Sequence, residues 1–135
     1  MYGGERMPKK YIKNEKGQSI VELAILLPII LIILMGVFES GRVMNAYLII
    51  NHASREGARS ASLGDSDSEI LETVSLSSNT LNSSNMSVTI SPSSRNRGDS
   101  VTVNIGYDVD IIVPIIESII PNPFHIETET VMRVE

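Results

Sequence analysis

The sequence predicts an α+β protein: a long N-terminal helix that first spans a membrane and then turns amphipathic, followed by a small antiparallel sheet with short helices. Three observations carry this. Ile20 to Phe38 is apolar except for Glu22, Val43 to Ser62 keeps its small and apolar residues on one helical face without a proline, and Val101, Val103, Ile105, Tyr107, Val109 and Ile111 alternate with mostly polar neighbours. The first is long enough for a spanning helix, the second has the helical period and the third has the period of a strand.

Composition narrows the function classes. With 135 residues, 42% of them apolar and 4% aromatic, the chain is one small domain's worth and has no room for a large enzyme core. It has no cysteine, which excludes disulfides, thiolate metal sites and a cysteine nucleophile. The net charge of −5 is unevenly spread, because all four lysines (Lys9, Lys10, Lys13, Lys16) precede Gln18. Residues 1–17 hold five basic and two acidic side chains, +3, and the remainder holds six arginines against 14 acids, −8. So acidic a body is ill suited to phosphate backbones, and nucleic acid is not an expected partner.

The apolar run from Ile20 to Phe38 is nineteen residues long. A hydrocarbon layer ~30 Å thick takes roughly 20 helical residues at about 1.5 Å each, so the run is just long enough to span. The rest of the chain has too little apolar material to enclose a helix greasy on every side. Lysines before the run and none after it predict a single pass with the N-terminus in the cytoplasm and the body outside. No small-residue cleavage site follows the run, so the segment is expected to stay as an anchor in the cytoplasmic (inner) membrane, in contact with membrane lipid.

Beyond the span, Val43, Ala46, Ile50, Ala53, Gly57 and Ala61 recur every three or four residues. Gln18 to about Ser62 is therefore expected to be one helix, with Glu39–Arg42 and Glu56–Arg59 as charge pairs three residues apart. Ala53, Gly57 and Ala61 form a small-residue packing seam, open either to another helix or to the protein's own sheet. Pro28 lies mid-span, removes a backbone hydrogen bond and is expected to bend the helix. Gly36 adds a second soft point.

After Gly64, a helix terminator, Ser66 and Glu69 spell a capping box for a short helix carrying Ile70, Leu71 and Val74. Asp65, Asp67 and Glu69 also resemble the start of a calcium loop, but Ile70 occupies the position that needs glycine. Leu76 to Ser87 is rich in serine and asparagine and is expected to be loop; Asn82 and Asn85 open N-x-S triplets. Met86–Ser91 and the strand from Val101 form a hairpin across a turn containing Arg97-Gly98-Asp99, which is ordinary turn chemistry before it is an adhesion tripeptide. Pro114 starts a short helix with Ile115, Ile116, Ile119 and Ile120 on one side, and Ile126–Val134 is a last strand. The expected divisions are a leader at 1–17, the helix at 18–62 and an extracytoplasmic body at 63–135.

No residue constellation for catalysis is visible. His52 and His125 lie in different elements without ligand spacing, and neither a phosphate loop nor a nucleophile elbow occurs, so no cofactor, metal or enzymatic activity is expected. The chemistry left to explain is Glu22, a carboxylate in an apolar helix, which away from headgroups must find a cation. Cleavage between Gly17 and Gln18 would place a new amine at the start of that helix with Glu22 as the fifth residue.

A basic leader, Gly17, four residues, Glu22 and an apolar stretch together resemble the class III signal of type IV pilin-like proteins. The longer run from Gly17 to Gly64 resembles the TadE-like family of pseudopilins, through Val21-Glu22, Pro28, Glu39 to Arg42 and Ala53-Ser54-Arg55-Glu56-Gly57-Ala58-Arg59, with Met132-Arg133-Val134-Glu135 like that family's terminus. The resemblance implies a minor component of the tight-adherence (Flp) pilus system, serving pilus assembly, cell adhesion or secretion. It implies maturation by a membrane prepilin peptidase at Gly17–Gln18, neutralisation of the new amine by Glu22, and other pilin-like subunits and the assembly machinery as partners. Leu23 stands where the system's major pilins carry tyrosine, which points away from the main fibre subunit. The alternative from a different class is an uncleaved, membrane-anchored extracytoplasmic binding module.

Overall fold

A computed structural model describes residues 15–135. In chain order these form α1 (Glu15–Ser62), α2 (Asp67–Ser77), a 3-10 turn (Ser83–Asn85), β1 (Met86–Ser91), β2 (Ser100–Val109), α3 (Pro114–Glu117) and β3 (Phe124–Arg133). The strands make one antiparallel sheet in the order β1-β2-β3. The α+β class and the single long helix are thus as the sequence predicts. Two compact units divide the chain, one ending at Leu34 and a body from Met35 to Glu135.

The first unit is helix without protein cover. From Ile20 to Leu34 its large apolar side chains are 43–68% exposed. A core helix would be enclosed by its own protein; this one is apolar on all sides and bare, which fits a single-pass membrane anchor. Pro28 lies inside it, with helix continuing on both sides.

In the body the same helix becomes one wall of a core. Ala46, Ile50, Ala53, Ala58 and Ala61 are buried, and they meet the inward-facing positions of β2, Val101, Val103, Ile105, Tyr107 and Val109. The strict alternation along β2 places every second side chain in this layer because successive residues of a strand point to opposite faces. Ser54, fully buried, bridges helix and sheet: its Oγ donates to the Val103 carbonyl (2.9 Å) and is hydrogen-bonded to Thr130 Oγ1 (2.9 Å).

Helix α1 stops at Gly64, whose φ of +90° suits a residue without Cβ. The Gly64 amide donates to the Ala61 carbonyl (3.2 Å) and the Asp65 amide to that of Ser60 (3.4 Å), the paired bonds of a Schellman ending. At the start of α2 the expected capping box is present: the Glu69 amide donates to Ser66 Oγ (3.5 Å) and the Ser66 amide to Glu69 Oε2 (2.8 Å). Hydrogen bonds from the Ser66 hydroxyl and then from its amide hold the Glu69 carboxyl below its ordinary pKa.

Several boundaries differ from the sequence expectation, beginning with α1, which starts at Glu15 rather than Gln18. The stretch expected as loop from Leu76 to Ser87 holds the end of α2, the 3-10 turn and the first two residues of β1. Asn82 caps the turn, its Oδ1 accepting from the Ser84 amide (3.1 Å), and side-chain hydrogen bonding of this kind is invisible to apolar periodicity. β2 ends at Val109, two residues early, while β3 starts at Phe124, two residues early, because pairing continues through Asp108–His125 and Val109–Phe124. The Arg97-Gly98-Asp99 turn is tied to the last strand: the Gly98 amide donates to the Val134 carbonyl (2.8 Å) and the Val134 amide to that of Asp99 (2.8 Å).

Two glycines of α1 give opposite expectations. A Cβ at Gly57 would lie 2.6 Å from Val74 Cγ2 and 3.4 Å from Val103 Cγ1, whereas at Gly41 no atom lies within 4 Å. Gly57→Leu should therefore destabilise the detergent-solubilised protein by at least ~2 kcal/mol through overpacking, and Gly41→Ala should stabilise it by about 0.5–1 kcal/mol through helix propensity; thermal unfolding followed by circular dichroism measures both. Ser66→Ala should cost about 1 kcal/mol as a lost cap. Since the folded-state pKa of Glu69 is depressed, its contribution is present above the unfolded carboxyl pKa and is lost as pH falls through the lowered one, a pH dependence that should diminish in the Ser66→Ala protein.

Candidate processing and assembly site

The residues singled out for processing and assembly lie at the start of α1. Gly17 and Gln18 are both helical, and Gln18 Nε2 donates to Glu22 Oε1 at 3.0 Å, one turn on. The basic leader residues Arg6, Lys9, Lys10 and Lys13 lie outside the described residues. Glu22 is exposed and accepts from the neutral Gln18 amide. Residues four apart on a helix face each other at roughly 5–6 Å between Cβ atoms, so an amine freed at Gln18 would stand on the side of the helix that carries this carboxylate.

At the other end of the apolar run stands a second acid in the opposite environment. Glu39 is 3% exposed, its Oε1 accepts from Arg42 Nη1 at 2.6 Å, and the same nitrogen donates to the Asp110 carbonyl at 3.2 Å. Glu39 Oε2 is buried and has no hydrogen-bond partner. The pair predicted at Glu39–Arg42 is therefore formed and also ties α1 to the end of β2. The pair predicted at Glu56–Arg59 is not: Glu56 turns instead toward His52, 4.0 Å away. Helix geometry permits partners at either three or four residues, and His52 supplies the second option.

Ala53 and Ala61 are fully buried, and Gly57 is buried with Val74, Val103 and Ile70 as the nearest side chains to its missing Cβ. The seam is filled from within the chain, by α2 and β2. Of the two occupants the sequence leaves open, the protein's own sheet occupies it.

The sheet also gathers residues that the sequence leaves scattered. His125 Nδ1 and Asp108 Oδ1 are 2.6 Å apart, and Ser87 Oγ and His125 Nε2 fall 2.7 and 3.4 Å from the place a Cβ on Gly106 would take. Cross-strand register brings them together, Ser87 opposite Gly106 and Asp108 opposite His125, and register is not legible from residue spacing. The serine hydroxyl donates to the Gly106 carbonyl rather than to the imidazole, and the histidine side chain is 58% exposed. On an open sheet face the group lacks the enclosed, water-poor setting in which a nucleophile is activated.

With this geometry in view, residues 17–59 match the family model described as TadE-like protein. The matched stretch begins at Gly17, contains Glu22, Pro28, the Glu39–Arg42 pair and most of the seam, and lies wholly in α1. It bears out the resemblance over the long helix. Comparison with curated proteins and with solved structures finds no match.

Removing Arg42 would leave Glu39 buried without its cation. Because the Arg42 side chain is 30% exposed, Arg42→Ala should cost about 2 kcal/mol, less than the loss of a fully buried pair. Chemical denaturation in micelles checks this, with Glu39→Gln plus Arg42→Ala expected to recover part of the loss.

Proposed function

We propose that this protein is a pseudopilin, a minor non-enzymatic component of a tight-adherence pilus that is cut between Gly17 and Gln18 and assists pilus assembly or adhesion. The observation that carries the reading is the TadE-like match over residues 17–59, which starts at the scissile glycine and holds a carboxylate five residues later. In this reading the lysine-rich segment stays in the cytoplasm, α1 crosses the inner membrane once and the body lies outside.

Local chemistry supports each role. A membrane peptidase needs its peptide bond free of helical hydrogen bonds, and Gly17, the residue with most to lose from helix order, makes the first turns easy to open. After the cut, the α-ammonium of Gln18 and the Glu22 carboxylate are opposite charges at the head of an apolar rod. When subunits associate and exclude water, each is costly alone and tolerable only when paired, within one chain or between neighbours. Pro28, which leaves the Ala24 carbonyl without its usual donor, provides a point where packed helices can deviate from a straight path.

The N-terminus decides between this and an uncleaved anchored binding module. In cells with the peptidase, mass spectrometry of the membrane protein should find a chain starting at Gln18. A chain retaining Met1 or Met7 there would sink the maturation step. Gly17→Arg should block cutting, and Glu22→Ala should allow it while reducing pilus yield; undiminished pili from the Glu22 variant would remove its assembly role.

A further inference from the structure

The connection from β2 to β3 is apolar and bare. Ile112, Ile115, Ile119 and Ile120 are 64, 47, 78 and 37% exposed, and Glu117 is the one charged residue between Ile111 and Pro123. The segment is nonetheless well formed. Asn122 closes its neck, Oδ1 accepting from the Ile111 amide (3.0 Å) and Nδ2 donating to the Ile111 carbonyl (3.4 Å). Inside, α3 and the turn after it are held by the Ile119 and Ile120 amides donating to the Ile116 carbonyl (2.9 and 3.0 Å). The isoleucines are thus presented outward by an ordered loop that could have folded them in, as it does Ile111, 6% exposed.

Contacts along α1 fix where the loop lies. The Glu135 amide reaches the Ser62 carbonyl (3.0 Å), Thr128 meets Asn51 (3.2 Å), the Asp110 carbonyl meets Arg42 (3.2 Å), and Ile116 Cδ1 comes within 3.9 Å of the Cβ position of Gly36. The sheet runs down the helix, and the loop is at its lower end. Gly36 belongs to the apolar run that closes at Phe38, so at about 1.5 Å per residue the loop reaches roughly 3 Å inside the end of that run.

We propose that residues 112–121 form a second membrane contact, an interfacial wedge that sinks Ile112, Ile115, Ile119 and Ile120 into the acyl boundary of the leaflet from which α1 emerges. The inference rests on α1 being a membrane span. The occupant is lipid because the patch is continuous with residues already bare toward it, Val37 and Phe38, each 65% exposed. Glu117 and Ser118 limit the depth to the interfacial zone, where a carboxylate still reaches water. With no cation in the loop, attachment is through apolar area and does not need anionic lipid.

The absence of cysteine allows single-site labelling. Three full-length variants, Ile29→Cys, Ile119→Cys and Leu63→Cys, each carrying an environment-sensitive fluorophore, are reconstituted in phosphatidylcholine vesicles and quenched with aqueous iodide or with nitroxide-bearing lipid. The wedge requires the label at 119 to be blue-shifted, several-fold less accessible to iodide than the one at 63, and quenched by a headgroup-proximal nitroxide lipid. A lipid-quenched label at 29 with an iodide-accessible label at 119 overturns the wedge and leaves the anchor standing. A label at 29 that lipid does not quench overturns the anchor itself. Protection at 119 from both quenchers, with self-quenching that falls on dilution by unlabelled protein, overturns lipid as the occupant in favour of a second copy of the chain.

Discussion

One helix meets two solvents, and that constraint shapes everything else. From Leu23 to Leu34 α1 has apolar side chains on all sides and no protein around them, whereas from Ala46 to Ala61 it offers one face to a core. Nothing in helix geometry distinguishes the two halves; side-chain pattern alone does. Because the backbone is continuous, the sheet must be built on whatever part of the helix the hydrocarbon does not claim. The small residues of that part, Ala53, Gly57 and Ala61, let the sheet and α2 approach closely enough to exclude water.

The acids at the two ends of the apolar run show how environment assigns a role. Glu39 is buried, paired with Arg42 and tied through it to Asp110, so its charge is spent on joining helix to sheet. Glu22 is exposed and bonded to a neutral amide, and under the proposed function its charge would meet a cation brought by processing or by a neighbour. A buried carboxylate with a cation is a structural fixture, because separating them exposes an uncompensated charge. An exposed one at the mouth of an apolar rod acquires its importance only when water leaves.

The body's other features follow from where the sheet stands on the helix. Its buried face is decided by alternation in β2, and its far face is polar and open, which is why the Asp108–His125 pair with Ser87 nearby lacks an enclosed site. Its lower end carries the isoleucine loop, placed beside Gly36 and Arg42 by the register of the two long strands.

Much of this was legible from residues alone. The apolar run, the continuation of the helix past it, the terminator at Gly64, the box at Ser66 and Glu69, and the alternation in β2 are local patterns, and local patterns are written in the order of residues. So was the likeness of residues 17–64 to TadE-like proteins, which rests on Val21-Glu22, Pro28, Glu39 to Arg42 and Ala53 to Arg59 and is borne out over residues 17–59. Tertiary structure alone decided what depends on distant partners: that the seam closes on Val74 and Val103, that Asp108 meets His125, and that Ile116 comes to rest beside Gly36. The physical reason is that pattern fixes which face of an element is apolar, while strand register and packing fix what that face touches.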